Sequence, residues 1–521
     1  MPFFDFHLHP STKGMFSQDS SKTNPWQTID IKSIPWAIRW CSDFQYIIGS
    51  QSNFSQLVNA GANIVCIAVI APERGITEDT FINKQAKGTL SRYLDPVELE
   101  IINNLDTSPY RMILDDLKNV IMNPGRFGIT DKKIILLNKG VNYDIHDHSS
   151  IYVTFTVEGA HSLGNNFDKE KITATDVLHN LDDLIQQGFP ILSINLTHLE
   201  QYNFCCHAYG ILFVNSENFK PVQKEVTEAG IDIIKGCYQR GIMIDMKHLS
   251  LGARRFLVEN LRKQADVQSV MQPLICTHAG FTGISYKDIP DYIEYKAIKN
   301  AAYSYLLWNK PKLYQSNTFT SFNPSSINLY DDDILAILQS GGMIGLSLDK
   351  RILGYSEPST MPDALNDLVF EEEYISNQEK QYFITKRSLG NKMNEEHCIT
   401  TQEVLEGGSV NPEVSFYHLC HFMSHVLHFI KVATDNNYDI KKALTQICIG
   451  SDFDGFINPV WCCPTIESIG DFKIKFSKEF PGFARSNRDV VKLPADFDIL
   501  QFTNQLFFEN GKNFILNRQA I

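Results

Sequence analysis

Histidine is scarce in this chain, 15 in 521 residues, yet His7, His9, His198, His248 and His278 each end or follow a short apolar run. In His7-Leu8-His9 the one-residue spacing puts two imidazoles on one side of an extended strand, where both can bind one cation at ~2.0–2.1 Å. Two acids occupy the same kind of position. Glu158 follows the run 151–157 and precedes Gly159, so its carboxylate can give one oxygen to each of two cations, and a buried glutamate there needs a cationic partner or a metal. Asp452, in Gly450-Ser451-Asp452-Phe453-Asp454-Gly455, can touch a cation and the attacking water. Asp454 faces the same side and is its rival. His248 and His278 suit a second cation together with Glu158, and His161 is a candidate hydrogen-bond partner behind the ligands. The expected metal ligands are therefore His7, His9, Glu158, His248, His278 and Asp452. Such a set implies two divalent cations ~3.5–4 Å apart that share a hydroxide and polarise a scissile carbonyl.

Residues so far apart in sequence need a scaffold that gathers strand ends. Eight β-rich runs are present: Phe3–Leu8, Asn63–Ile70, Ile151–Val157, Ile191–Thr197, Ile242–Met246, Leu274–Thr277, Met343–Ser347 and Gln446–Ile449. Each is apolar enough for burial on both faces, as parallel strands require. Amphipathic stretches at Ala174–Gln187, Val222–Arg240, Asp331–Gln339 and Phe416–Val432 separate several of them. Gly188, Gly241 and Gly341 follow three of these as helix stops. The pattern predicts an α/β fold, a (β/α)₈ TIM-type barrel, whose strand C-termini point to one face. Residues near 10–60, 72–148, 283–328 and 350–413 are too long for simple connections and are expected to be insertions, some shaping the substrate pocket. A separate small domain within 350–413 is the alternative.

Composition narrows the function classes. Hydrophobic residues at 43% and charged ones at 21% are those of an ordinary globular protein. A net charge of -13 disfavours nucleic acid and anionic membrane surfaces as partners. The start lacks the basic and apolar regions of a signal peptide, and no apolar run reaches the ~18 residues of a membrane span, so a cytoplasmic location is expected. The 11 cysteines read as buried thiols. Neither Cys205-Cys206 nor Cys462-Cys463 has the spacer that lets thiolates converge on a metal.

At the level of motifs, Val-Glu-Gly-Ala-His-Ser (157–162), Leu-Thr-His (196–198), Val-Thr-Glu-Ala-Gly (226–230), Gly-Ile-Met-Ile-Asp-Met-Lys-His (241–248), the stretch from Asp-Asp-Asp-Ile-Leu to Gly-Gly-Met-Ile-Gly (331–345) and Gly-Ser-Asp-Phe-Asp-Gly (450–455) occur in this order. Together they resemble the membrane (renal-type) dipeptidase family of the amidohydrolase superfamily. The resemblance implies a zinc-dependent barrel that cleaves dipeptides, with Glu158 bridging two zincs, His248 and His278 holding the second, His198 contacting substrate and Asp452 as the last-strand aspartate. It also implies a homodimer. Two departures stand out. The family carries His-x-Asp where this chain has His7-Leu8-His9, and it places an Arg before the Asp-Asp helix to grip the substrate carboxylate, where this chain reads Ser325-Ser326-Ile327-Asn328. Arg351, soon after the seventh run, is the expected substitute.

The expected reaction is hydrolysis of an amide or peptide bond of a small substrate, a dipeptide first. Asp452 would take the proton of the attacking water and pass it to the leaving amine, while His198 would donate to the oxyanion. Two other readings share these residues. One is a metal-dependent hydrolase of a cyclic amide, lactone or phosphoester; the other is a barrel that binds without turnover.

Overall fold

The computed structural model describes residues 2–16, 24–29, 47, 49–75, 96–210, 217–297, 302–315, 319–355, 370–384 and 412–519. Its eight central strands are β1 (Phe4–Leu8), β2 (Ile64–Val69), β3 (Ser150–Val157), β4 (Ile191–Asn195), β5 (Met243–Asp245), β6 (Ile275–Ala279), β7 (Met343–Leu346) and β8 (Ile447–Ile449). They pair in that order, every neighbour parallel. The ends of the path meet just beyond the strands: Asp452 donates its backbone N–H to the His7 carbonyl at 2.9 Å, and His9 donates to the Phe453 carbonyl at 2.9 Å. The chain is thus an α/β protein with the (β/α)₈ barrel its apolar runs predict.

The barrel fills from its N-terminal end. One buried cluster takes a residue from every strand, including Phe4, Ile64, Tyr152, Leu192, Met243, Ile275, Met343 and Cys448, and adds Phe508 and Ile515 from the C-terminal helical segment. Apolar side chains plug that end, which leaves the opposite end for polar groups. The other faces of the strands, with Val65, Ile67, Val69, Val153, Phe155 and Val157, pack against helices through Val177, Leu181, Ile233, Ile337 and Val426.

The helices follow the amphipathic stretches with one correction. Residues 174–186, 331–339 and 412–435 are helical, but the helix expected from Val222 begins at Glu228. Thr227 sets that start, because its side-chain oxygen accepts the Gly230 N–H and caps the first turn. Gly188, Gly241 and Gly341 have φ of +88°, +74° and +75°, the left-handed geometry of a helix stop.

Parts of the long connections have structure of their own. Lys133–Leu136 pairs with β3 along residues 150–153, and β4 joins β3 only from Phe155 onward. Ile293–Ala297, Tyr303–Asn309 and Phe370–Ser376 form a three-stranded antiparallel sheet with Tyr303–Asn309 at its centre. Two acids at that last strand and just beyond it reach toward the barrel mouth: Glu373 accepts from the Ser326 N–H at 3.1 Å, and Glu379 accepts from the Ser250 hydroxyl at 2.6 Å. Residues 17–23, 30–46, 76–95, 298–301, 316–318, 356–369 and 385–411 of the four long connections lie outside the described residues, as does residue 48. No disulfide joins the nine described cysteines, all of which are buried. Among the described residues no helix is long and apolar enough to cross a membrane.

Candidate metal centre

At the C-terminal end of the barrel the ring nitrogens of four histidines converge on one carboxylate. His7 Nε2 lies 3.2 Å from His9 Nε2 and 3.5 Å from Glu158 Oε1, and His9 Nε2 lies 3.2 Å from Glu158 Oε2. On the other side, His248 Nε2 is 3.1 Å and His278 Nε2 3.4 Å from Glu158 Oε1, and the two histidines are 3.3 Å apart. Asp452 closes the group, with Oδ1 3.5 Å from His9 Nε2 and Oδ2 4.0 Å from His278 Nε2.

These separations carry a chemical meaning. Four ligands placed tetrahedrally around a cation at ~2.0–2.1 Å lie roughly 3.3–3.4 Å from one another, by the geometry of the tetrahedron. Two groups have those edges, one of His7, His9 and Glu158 and one of Glu158, His248 and His278. Glu158 belongs to both. The donor set of imidazoles and carboxylates suits a borderline divalent cation such as zinc.

Thr277 sets the orientation of two of these rings. Its hydroxyl is 2.8 Å from His7 Nδ1 and 3.1 Å from His278 Nδ1, and it donates to the Asp245 carboxylate in a short hydrogen bond. With its own proton committed to Asp245, the oxygen accepts from both rings, which leaves the Nε2 lone pair of each facing the centre. His7, Asp245 and His278 also lie within metal-holding distance of one another, but they meet on this hydroxyl.

Backbone geometry supports the same site. His248 and Asp452 have φ of 66° and 63°, a left-handed conformation uncommon for non-glycine residues and concentrated where function requires it. Gly159, at φ +81°, follows Glu158, and a Cβ there would lie 2.4 Å from the His161 ring, so glycine is required between them.

Burial and charge set the protonation states. Burial would raise Glu158, but the charges of His198 and His7 and the hydrogen bond of His248 hold it well below the usual carboxylate range. Burial and the nearby His198 charge push His248 down to about 3, and burial likewise holds His278 well below its ordinary value, so both rings are neutral near pH 7. His198 moves the other way. Burial opposes its charged form, but the Glu73 and Glu158 carboxylates raise it. Its Nδ1 lies 2.7 Å from Glu73 Oε1, and its Nε2 stands 3.8 Å from Glu158.

Glu73 is the main polar partner that sequence reading passed over. It follows β2 in Ala71-Pro72-Glu73-Arg74, directly after an apolar run, as Glu158 does after β3. Burial would raise it, yet His198 holds it at about 2 through charge and a hydrogen bond.

The remaining candidates have other partners. His161 donates from Nε2 to the Ala71 carbonyl, 2.9 Å away, and stacks on Tyr202, so it braces the loop after β2. Asp454 turns to the segment before helix 54–60, accepting the Gln51 and Ser52 N–H groups at 2.8 Å each. The Arg351 guanidinium is engaged by Asp349 at 2.6 and 3.1 Å. That two-point pair already matches its charge, which counts against its expected role as substitute for the missing Arg. A cavity of about 1010 Å³ opens beside the mouth, lined by Ser11, Ile70 and Pro72 after β1 and β2 and by Arg111, Asp116 and Arg126 of the connection to β3.

No family model and no curated protein matches the chain. Among solved structures it is similar to dipeptidase AC, a metallo peptidase of family M19, at 13% identity and a TM-score of 0.51, covering 100% of this chain and 99% of that one. It is also similar to a metallo peptidase from Rhodobacter sphaeroides liganded with a phosphinate mimic of the dipeptide L-Ala-D-Ala, at 13% identity and a TM-score of 0.49, over 100% and 99% of the chains. A third is the probable dipeptidase PvdM from Pseudomonas aeruginosa, at 11% identity and 0.43, over 90% and 88%. At these identities the likeness concerns architecture, and the chain shares the barrel fold of dipeptidase AC.

Proposed function

We propose that this chain is a metal-dependent hydrolase of small amides, dipeptides first among them, and a divergent relative of the renal-type dipeptidases. The observation that carries this reading is the division of the Glu158 carboxylate between two histidine pairs at tetrahedral-edge distances. His7, His9 and Glu158 would hold one divalent cation, and Glu158, His248 and His278 a second, with Asp452 beside both pairs as a further ligand. Cations bound there lower the pKa of water and polarise a carbonyl.

The side chains account for the rest. Asp452, with 15% of its side chain exposed against 3% for Glu158, is the carboxylate that substrate and water reach. Its Oδ takes the proton of the attacking water and returns it to the departing amine. His198, held by Glu73 and favoured in its charged form, donates from Nε2 to the carbonyl oxygen as negative charge grows there. Glu73 keeps the ring in one orientation. The likeness to a dipeptidase fold supports the choice of substrate class.

The test is incubation of zinc-supplemented protein with L,L and L,D dipeptides and their N-blocked and amidated forms, followed by mass spectrometry with and without chelator. Chelator-sensitive cleavage of free dipeptides is expected. Cleavage that survives full metal removal, or none in protein loaded with metal, would overturn the reading.

A further inference from the structure

Lys247 directly precedes His248, and its residue is 2% exposed. Its Nζ makes one hydrogen bond, 3.3 Å to the Ile327 carbonyl, and no carboxylate among the described residues lies within 4.0 Å of it. Three other buried or half-buried cations around the mouth have a carboxylate partner, whereas buried Lys13 bonds the Ile47 carbonyl. Arg254 pairs with Asp333 at 3.0 Å, Lys220 with Glu217 at 2.7 Å and Arg351 with Asp349 at 2.6 Å. A buried ammonium with a lone carbonyl partner retains an unmet demand for an anion.

Its position says where that anion would come from. Lys247 lies within electrostatic reach of Asp452, Asp349 and Glu158, and its charge acts on His248 and His278, so it sits among the ends of β3, β5, β6, β7 and β8. The carbonyls flanking Ile327 are taken by another cation, since Arg254 donates to Ser326 at 2.6 Å and Asn328 at 3.1 Å. Segment 325–328 carries no cation itself and offers Lys247 only a neutral acceptor.

We propose that Lys247 is the residue that recognises the free carboxylate of the substrate, its ammonium turning from the Ile327 carbonyl to the incoming anion. The inference rests on the amide-hydrolase reading above and adds the group that selects a free C-terminus. Its consequence is a preference for acids over their amides that depends on position 247.

The experiment compares kcat/KM for a dipeptide and for its C-terminal amide in the wild type, Lys247→Met and Lys247→Arg, each with metal content matched to the wild type. The acid-to-amide ratio should fall by roughly 10–100-fold in Lys247→Met, the worth of a hydrogen bond to a charged group, and stay within a few-fold in Lys247→Arg. An unchanged ratio in Lys247→Met overturns the assignment and leaves the amide-hydrolase reading standing. If the wild type cleaves neither compound, that reading fails, and calorimetric binding of N-acetylalanine decides the role of Lys247 alone. Tenfold or weaker binding in Lys247→Met with recovery in Lys247→Arg supports it; equal binding in all three rejects it.

Discussion

The Thr277 hydroxyl lies 2.8 Å from Nδ1 of His7, on the side of the ring opposite the converging Nε2 atoms. It is one residue from His278 and shares its acceptor capacity with that ring as well. Replacing it with Val removes an acceptor for two N–H groups and the donor to Asp245, while keeping shape. Thr277→Val should lower affinity for zinc by ~10–100-fold, the usual effect of losing an outer-shell partner. Thr277→Ser should restore most of it. Competition against a fluorescent chelator measures both.

His198 differs from the other site histidines in having a carboxylate behind it. Its assigned role is donation to the oxyanion, so His198→Asn should reduce kcat by ~10²–10³ and leave metal content unchanged. Parallel loss of metal and activity would make it a ligand instead. Glu73→Gln takes away the charge that raises the His198 pKa, so the basic limb of the rate profile should move to lower pH. A pH titration of kcat/KM on both variants reads this.

Glu373 ties the outer sheet to the loop at 325–328. Burial pushes it up to about 7, against hydrogen bonds from Ser326 and Trp308. A carboxyl raised in the folded state binds its proton more tightly there than in the unfolded chain. Its contribution is therefore full below the unfolded value near 4.5 and is lost as pH rises through about 7. Glu373→Gln should remove up to about 3 kcal/mol of that decline between pH 4.5 and 8. Urea unfolding of both proteins across that range gives the difference directly; parallel curves would contradict the account.

Much of the barrel was legible because each strand is a short apolar run, and the C-terminal ends of most are marked by a residue that burial alone would reject. His7, Glu158 and His278 are such residues, and convergence of strand ends follows from the fold. Asp245 carried the same mark inside the run Ile242–Met246, and its meaning appears only when Thr277 arrives from the next strand. Glu73 follows an apolar run too, but nothing in the sequence names His198, 125 positions away, as its partner. The pairing of Phe370–Ser376 with Tyr303–Asn309 is equally non-local, and its run of three glutamates, Glu371–Glu373, reads as part of an insertion of unspecified structure. Lys247 stood in plain view beside His248, but the lack of a carboxylate near its ammonium is a property of the packed mouth.

In the proposed centre one carboxylate, Glu158, is shared by two cation sites. Counting zinc equivalents per chain by inductively coupled plasma mass spectrometry, after equilibration with buffered zinc, tests it most directly. The account predicts two equivalents in the wild type and loss of both in Glu158→Ala, because both groups use that side chain. A single equivalent in the wild type, or two retained in Glu158→Ala, would contradict it.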